Sequence, residues 1–132
     1  SWEKMLAMQG NTAPYLQYAV ARIYSIFRKV ECSPKENYFT EYPPTTDSEK
    51  KLARKLLFFS GAIKQTVKEL KPHFLGTYLF ELATEFSSFY NNSKAMVEEE
   101  EIKTLRLTLC ARTLCILETG LEILGIDTLE EM

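Results

Sequence analysis

Hydrophobic positions between residues 10 and 29 recur with the period of an α-helix. Four of them fall on one stripe at about 100° per residue, namely Leu16, Val20, Ile23 and Phe27. Such a stripe is typical of a helix that buries one face in a core. Asn11 or Thr12 can cap its start, and Pro14 suits a first turn, where its missing N–H costs nothing. The pattern therefore predicts a long helix over about residues 13–30.

A second stripe of this helix carries Tyr15, Tyr18 and Arg22, about 130° away from the apolar stripe. Because glycine permits a positive φ, we expect a tight turn at Gly10 and Asn11, with its backbone groups beside these side chains. Two phenols and a guanidinium suit stacking on a flat ring and hydrogen bonding to its edge. Half-buried tyrosines with an extended arginine are also common in helical bundles, so periodicity leaves both interpretations open.

Further helical periods follow, separated by breaks. A short amphipathic segment over residues 2–8 precedes the long helix, and an aperiodic loop with three prolines spans residues 31–47. Asp47 or Ser48 is expected to cap the next helix, and Ser60–Gly61 to divide it from a third one. A fourth helix, over about 72–90, carries a regular apolar stripe made of Leu75, Leu79, Leu82, Phe86 and Phe89.

The last helix, over about 98–124, is apolar almost all round, so we expect it to be the central helix. Gly125 is well placed as its C-terminal cap. Ile126 and Leu129 are apolar enough to hold the tail against the bundle, which would keep Met132 at the surface. The pattern as a whole predicts an all-α helical bundle of about five helices.

Composition adds a size and a charge distribution to this picture. The chain has 132 residues, of which 45% are hydrophobic, so we expect a single domain over residues 1–132. No apolar run fits a membrane span or a signal peptide, which favours a soluble, cytoplasmic protein. Residues 1–66 carry 10 Lys+Arg against 6 Asp+Glu, whereas residues 67–132 carry 6 against 12. A polyanion therefore fits the first half only.

The common catalytic and metal-binding patterns are not found in the sequence. It has no P-loop, no G-x-S-x-G and no His/Glu metal spacing. Its single histidine, His73, stands in a first turn and is expected to pack or cap. Cys32, Cys110 and Cys115 lack any Cys-x-x-Cys spacing and are interpreted as buried or idle thiols. The sequence alone therefore indicates neither an active site nor a metal site.

Three motifs stand in order along the chain. They are GNTAPYLQYAVARIYSIFRK, PHFLGTYLFELATEFSSFY and the closing LRLTLCARTLCILETGLEILGIDTLEEM. Together they resemble the C-terminal anticodon-binding domain, of DALR type, of class I arginyl-tRNA synthetases. The matching patterns are G-x-T-x-P-Y-L-x-Y-A, then Y-L-x-x-L-A-x-x-F-x-x-F-Y, then an L-G-I/L step before a terminal methionine. The resemblance spans essentially all of the chain.

The resemblance implies a pocket for an extruded anticodon base. Its residues would be Gly10, Asn11, Tyr15, Tyr18 and Arg22, with Met132 near the neighbouring base and Met96 in a loop where relatives can place an aromatic residue. Arginine codons all have G in the middle, so the central anticodon base is cytosine. Arg22 or backbone N–H groups would bind its N3 and O2 acceptors, and a backbone carbonyl its N4–H donor. Phosphate contacts are expected from basic residues that otherwise form a solvated surface, namely Arg28, Lys29, Lys50, Lys51 and Arg54.

The resemblance also implies partners and a parent activity. The expected partners are the anticodon loop of arginine tRNA and a catalytic domain upstream of Ser1, in a monomeric protein that attaches arginine to tRNA with ATP and Mg. The chain itself would hold no cofactor and do no chemistry. Two alternatives stay open, a free-standing helical module that binds RNA or a protein partner, and a domain derived from a synthetase that serves RNA modification or regulation.

Overall fold

The computed structural model describes residues 2–69, 71–93 and 97–128, with the side chains of the first helix described from Thr12 onward. These residues contain five α-helices and no strand, which confirms the predicted all-α bundle. The helices are α1 (Trp2–Lys29), α2 (Asp47–Leu57), α3 (Phe59–Glu69), α4 (His73–Asn92) and α5 (Glu100–Ile123). None of the described helices is long and apolar enough to cross a membrane.

The central helix of the bundle is α4, which packs against all four other helices. The prediction that α5 is central is therefore wrong, although α5 does pack against α1, α2 and α4. Not all apolar positions of α5 are buried, since Cys115 and Ile123 lie exposed. The crossing of α4 and α5 is close, since a Cβ on Gly120 would stand 2.6 Å from Leu79 Cδ1.

α1 and α4 run parallel to each other, whereas α5 runs antiparallel to α1. Along α1, Tyr15 faces Phe80 and Arg22 faces Tyr90, so both helices advance in the same direction. The predicted core stripes of both helices are buried, with 2% exposure or less at every position: Leu16, Val20, Ile23 and Phe27 of α1, and Leu75, Leu79, Leu82, Phe86 and Phe89 of α4. The hydrophobic pattern therefore located the shared interface of these two helices correctly.

α1 is continuous through Gly10 and Asn11, so the predicted turn there is wrong. A glycine costs a helix interior about 1 kcal/mol relative to alanine, which is too little to break a long helix by itself. Pro14 lies inside the helix and has no N–H. The carbonyl of Gly10, four residues earlier, therefore lacks the donor that a helix normally supplies. A backbone acceptor is still available near the predicted site, but from a helix and not from a turn.

α2 begins at a capping box that the sequence analysis missed. The N-cap is Thr46, and not Asp47 or Ser48, because its side chain accepts a hydrogen bond from the backbone N–H of Glu49. The Glu49 carboxylate accepts one in return from the N–H of Thr46. The boundary between α2 and α3 is at Phe58 and not at the predicted Ser60–Gly61. A glycine in a helix position open to solvent does not by itself end the helix.

α5 ends in a complete Schellman motif at the predicted glycine. Gly125 has a φ of 76°, its N–H donates to the Glu122 carbonyl, and the Ile126 N–H donates to the Leu121 carbonyl at 2.8 Å. Ile126 is partly buried against the core, as predicted. The Gln17 side chain also donates to the Asp127 carbonyl at 2.7 Å, which ties the segment after α5 to α1. Leu129 and Met132 lie outside the described residues.

Candidate nucleic-acid interface

Tyr15 lies against α4 on the exposed flank of α1. Its hydroxyl oxygen stands 3.4 Å from Thr84 Oγ1 and 3.4 Å from Ser87 Oγ. Both separations are long for an O–H···O hydrogen bond, so the hydroxyl is placed between two partners without being held tightly by either. The Tyr15 ring packs at a tilt against Phe80, with 5.1 Å between ring centroids. Tyr15 is thus half-buried, and α4 supplies its surroundings.

Tyr18 differs from Tyr15 in being 59% exposed. It is one turn further along the same flank of α1, as the helical period predicted. Its hydroxyl makes no hydrogen bond to another described residue, so it can still bind a ligand. An exposed aromatic ring of this kind can stack on a base without first breaking contacts of the fold.

Arg22 packs with its guanidinium over the ring of Tyr90, at 4.8 Å from the ring centroid. This distance is that of a cation–π contact. The guanidinium carries five N–H donors, which suit acceptor atoms such as N3 and O2 of a pyrimidine. Tyr90 is itself 37% exposed, so the pair lies at the surface.

The structure adds four α4 residues to this flank that the sequence analysis did not single out. They are Phe80, Thr84, Ser87 and Tyr90. The spacing of the first three, at i, i+4 and i+7, places them on one side of α4, next to the buried stripe. That signal was available in the sequence, but which helix would face it was not. We call Tyr15, Tyr18 and Arg22 with these four residues the α1–α4 face.

The other predicted base-contacting residues are placed only in part. Gly10 and Asn11 belong to the helical backbone of α1, four or more residues before Tyr15. Met96 and Met132 lie outside the described residues. The tie between Gln17 and the Asp127 carbonyl nevertheless brings the chain after α5 to the same helix that carries Tyr15 and Tyr18.

The predicted phosphate-contacting residues are all exposed. They are Arg28 and Lys29 at the end of α1 and Lys50, Lys51 and Arg54 on α2. Lys51 forms an exposed ion pair with Asp47 at 3.2 Å, one turn apart on α2. Such pairs are weak and exchange readily for other charges.

α1 and α2 border the same exposed strip of α4. Thr84 of this strip meets Tyr15 of α1, and Glu81 binds Lys55 of α2 through a 2.7 Å ion pair. The Tyr78 hydroxyl donates to the Lys55 carbonyl at 2.7 Å, which fixes α2 against α4. Burial raises the pKa of Tyr78 to about 12, so this hydroxyl stays protonated at neutral pH. Tyr15 of α1 and Lys55 of α2 therefore flank one surface.

A buried ion pair joins α2 to α5 and serves the fold. Glu49 is 1% exposed, and its Oε2 accepts a 3.0 Å hydrogen bond from Arg106 Nε. Burial alone would raise the pKa of the Glu49 carboxyl. The backbone N–H groups of Thr46 and Thr45 and the Arg106 guanidinium outweigh it and lower the pKa below its ordinary value. Because the pair joins α2 to α5 inside the bundle, we assign it to the stability of the fold.

A second polar cluster lies on the opposite flank of α1. The Tyr24 hydroxyl donates to Glu118 Oε2 at 2.7 Å, and Lys35 Nζ donates to Glu118 Oε1 at 2.7 Å. Beside it an open cavity of about 460 Å³ lies between residues 34–38 and α5, with Arg112 and Cys115 in its lining. This cavity contains none of the predicted RNA-contacting residues.

The remaining candidate groups do not form a catalytic or metal site in the described part of the chain. No cluster of three His, Cys, Asp or Glu side chains is placed there to hold a metal ion. Cys110 is buried, and burial raises the pKa of its thiol to about 12, which keeps it protonated. Cys32 is partly buried and Cys115 is exposed, so of the three thiols only that of Cys110 is in the core. His73 packs against the ring of Phe74, as predicted, with 4.4 Å between centroids.

Comparison with known proteins identifies the family of this chain. The model of the DALR anticodon binding domain matches residues 16–132. The chain belongs to this family. The match covers the second half of α1, from the first residue of its buried stripe, together with the four helices that follow it. The α1–α4 face, apart from Tyr15 itself, therefore lies inside the matched region.

Proteins similar to this DALR domain include several named arginine–tRNA ligase. It is 46% identical over 132 residues to the arginine–tRNA ligase of Vibrio campbellii, which covers 99% of this chain and 23% of the relative. It is 44% identical over 131 residues to the arginine–tRNA ligase of Mannheimia succiniciproducens, with the same shares of 99% and 23%. The chain thus spans about a quarter of the length of these curated relatives.

Two solved structures show the same fold. One is an arginyl-tRNA synthetase of Thermus thermophilus, with a TM-score of 0.78 and 36% identity, covering 90% of this chain and 21% of that one. The other is the arginyl-tRNA synthetase of Plasmodium falciparum, with a TM-score of 0.80 and 33% identity, covering 100% of this chain and 23% of that one. The helical bundle described above is therefore the fold of this DALR domain's relatives.

Proposed function

We propose that this DALR domain recognises the anticodon loop of arginine tRNA as the non-catalytic, tRNA-binding part of an arginine–tRNA ligase. The observation that carries the proposal is the α1–α4 face, where two tyrosines and an arginine lie at the surface of a domain from this family. These groups match the chemistry of an unpaired base, which needs a stacking surface and a donor for its edge.

In this mechanism, the central cytosine of the anticodon leaves the stack and enters the α1–α4 face. Tyr15 and Tyr18 stack on bases, at about 1 to 3 kcal/mol for each stacked base. N–H groups of Arg22 donate to the N3 and O2 acceptors, while the guanidinium keeps its cation–π contact with Tyr90. The Gly10 carbonyl, which lacks a helical donor, is a candidate acceptor for the cytosine N4–H group. Uracil presents a donor at N3 and an acceptor at position 4, so it fits these partners poorly.

The basic side chains complete the site by contacting phosphates. Lys50, Lys51 and Arg54 lie exposed on α2, the helix whose Lys55 pairs with Glu81 of α4, and Arg28 and Lys29 extend α1 beyond Arg22. Contacts of this type position the RNA and carry no sequence information. Met132 and Met96 are proposed to add apolar contacts to neighbouring bases.

The remaining properties of the parent protein follow from the same proposal. Its catalytic domain would supply the ATP-dependent and Mg-dependent attachment of arginine, and this domain would contribute recognition alone. We propose that the protein is a monomer and that it acts in the cytoplasm, where tRNA charging takes place. The net charge of −2 is consistent with a domain that binds RNA through one limited surface.

Base discrimination in Arg22→Ala tests the proposal. The measurement is filter binding of this chain to arginine tRNA transcripts with cytosine or uracil at the central anticodon position. Arg22→Ala should weaken binding of the cytosine transcript about tenfold or more and reduce the preference for cytosine over uracil. Lys51→Ala should weaken binding of both transcripts by a similar, smaller factor, because a phosphate contact does not read the base.

Arg112→Ala is the matched control, since it removes an exposed arginine that lines the cavity on the opposite flank. It should leave both affinities unchanged within about twofold. An unaltered preference for cytosine in Arg22→Ala would refute the role given to this residue. Equal binding of arginine tRNA and a non-cognate tRNA by the original chain would refute the proposed function itself.

A further inference from the structure

We propose that Tyr15 contacts RNA through its ring alone, and that Phe80, Thr84 and Ser87 of α4 act as positioning residues for that ring. The inference rests on the proposed function and refines it. It divides the work between the two tyrosines, because Tyr18 has a hydroxyl that no other described residue engages, whereas the Tyr15 hydroxyl is directed at α4.

The Tyr15 hydroxyl is directed at α4. It stands 3.4 Å from Thr84 Oγ1 and 3.4 Å from Ser87 Oγ, on two residues that lie one turn apart on α4. Thr84 Oγ1 itself donates to the Phe80 carbonyl at 3.0 Å, so its lone pairs remain available to the phenol. A hydroxyl beside these two oxygens faces the surface of α4, so we assign it to α4 and not to the edge of a base.

The Tyr15 ring is restrained by a neighbouring aromatic side chain. Phe80 packs against it with 5.1 Å between centroids and an interplanar angle of 43°. Aromatic pairs in tilted arrangements of this kind attract each other beyond the area that they bury. With one side against Phe80 and the hydroxyl end near α4, the ring is limited to fewer orientations before RNA binds. A ring limited in this way loses less rotational freedom when a base stacks on it.

Phe80 lies at the surface of α4. The phenylalanines that form the core of α4, Phe86 and Phe89, are 0% and 2% exposed, whereas Phe80 is 44% exposed. Burial in the core therefore does not account for an aromatic residue at this position. Phe80 packs against the Tyr15 ring, and the next residue along α4, Glu81, forms an ion pair with Lys55. Support of the Tyr15 ring gives Phe80 a use in this place.

The experiment compares variants that remove the hydroxyl, the ring or the support. The probe is a 17-nucleotide anticodon stem-loop of arginine tRNA with a fluorescent cytosine analogue at the central position. Affinity and quenching of the analogue are both measured, because quenching reports stacking separately from binding. Tyr15→Phe should keep affinity within about twofold, and Tyr15→Ala should lose about tenfold or more together with the quenching. Tyr18→Phe should lose more affinity than Tyr15→Phe.

Variants of α4 test the positioning role. Phe80→Ala should weaken binding about fivefold and reduce quenching, and Phe80→Tyr, which keeps a ring, should restore both. Thr84→Val with Ser87→Ala should lower quenching at saturating protein. The matched control is Thr77→Val with Ser88→Ala, which removes the same two types of hydroxyl from exposed positions of α4 outside the Tyr15 contact. Circular dichroism establishes that each variant keeps its helices.

Two results would overturn the inference. One is a Tyr15→Phe variant that binds as poorly as Tyr15→Ala, which would mean that the hydroxyl contacts RNA. The other is quenching in Phe80→Ala equal to that of the control pair. A chain that binds no arginine stem-loop in any form would refute the proposed function together with this inference. Normal binding with the wrong pattern among the variants would refute the inference alone.

Discussion

The two flanks of α1 each hold a tyrosine against another helix, and they do so in different ways. Tyr15 and Tyr24 are nine residues apart, or about two and a half helical turns, so they lie on opposite sides of α1. Tyr24 is 8% exposed, and its hydroxyl donates to a carboxylate oxygen of Glu118 at 2.7 Å. Tyr15 is half-buried, and its hydroxyl has two neutral partners at 3.4 Å. One flank is closed by strong contacts, and the other is left open to solvent.

The difference shows how one helix can join a stable fold to a binding surface. Hydrogen bonds to ionised groups are shorter and stronger than those between neutral groups, so the α5 side of α1 holds the helix in place. The α4 side packs through the buried stripe below Tyr15 and leaves weak hydroxyl contacts above it. A ligand that meets Tyr15, Tyr18 and Arg22 therefore does not have to displace contacts that stabilise the bundle.

The largest effect that separates the two flanks is expected from alanine substitutions. Tyr24→Ala should lower the free energy of unfolding by about 3 kcal/mol, because it empties a buried aromatic site and leaves Glu118 without one donor. Tyr15→Ala should lower it by about 1 kcal/mol, since much of this ring is already in water. Urea denaturation followed by circular dichroism measures both. Equal losses in the two variants would mean that the flanks do not differ as described.

A smaller effect is expected when only the hydroxyls are removed. Tyr24→Phe should lose about 1 to 2 kcal/mol of unfolding free energy, as expected for a hydrogen bond to a charged group. Tyr15→Phe should change it by less than about 0.5 kcal/mol, because two long contacts between neutral hydroxyls contribute little. The same denaturation experiment applies, and each variant serves as the isosteric control of the other. A Tyr15→Phe variant as unstable as Tyr24→Phe would contradict the comparison.

The sequence predicted the buried side of α1 better than either flank. Leu16 and Val20 repeat with the helical period, and burial follows from that repeat because hydrophobic burial needs no particular partner. The flanks depend on partners far away in sequence, such as Glu118 for Tyr24 and Ser87 for Tyr15. Local periodicity contains no information on which helix lies opposite a given side chain.

Errors in the predicted fold also arose where packing between helices outweighed local sequence signals. Gly10 and Pro14 disfavour a helix locally, but the residues on both sides keep α1 continuous. α5 was expected at the centre because it is the most apolar helix, whereas packing placed α4 there. The capping box of Thr46 and Glu49 was missed, although its S/T-x-x-E spacing is visible in the sequence. Resemblance to a family supplied the functional interpretation of Tyr15, Tyr18 and Arg22 that periodicity had left open.

The smallest expected effect is a loss of stability at alkaline pH that belongs to the α5 flank. Burial, with a contribution from the hydrogen bond to Glu118, raises the pKa of Tyr24 above its ordinary value. The hydrogen bond to Glu118 likewise raises the pKa of Lys35. A group whose pKa is raised on folding contributes stability that is complete below its unfolded pKa and is lost as the pH rises through the folded one. Both contributions should therefore be present at neutral pH and decline above a pH of about 10.

Urea denaturation of the original chain and of Tyr24→Phe at pH values of about 8 and 11 isolates the share of Tyr24. The loss between the two pH values should be larger in the original chain, because the variant has no phenol to ionise at this position. Tyr38 and Tyr78, whose pKa values are also raised, titrate in both proteins and cancel in the difference. Tyr15→Phe supplies the matched control, because it removes a phenol from the other flank of α1. If Tyr24→Phe lost as much stability as the original chain, the Tyr24–Glu118 contact would not be the feature that makes the α5 flank the stronger one.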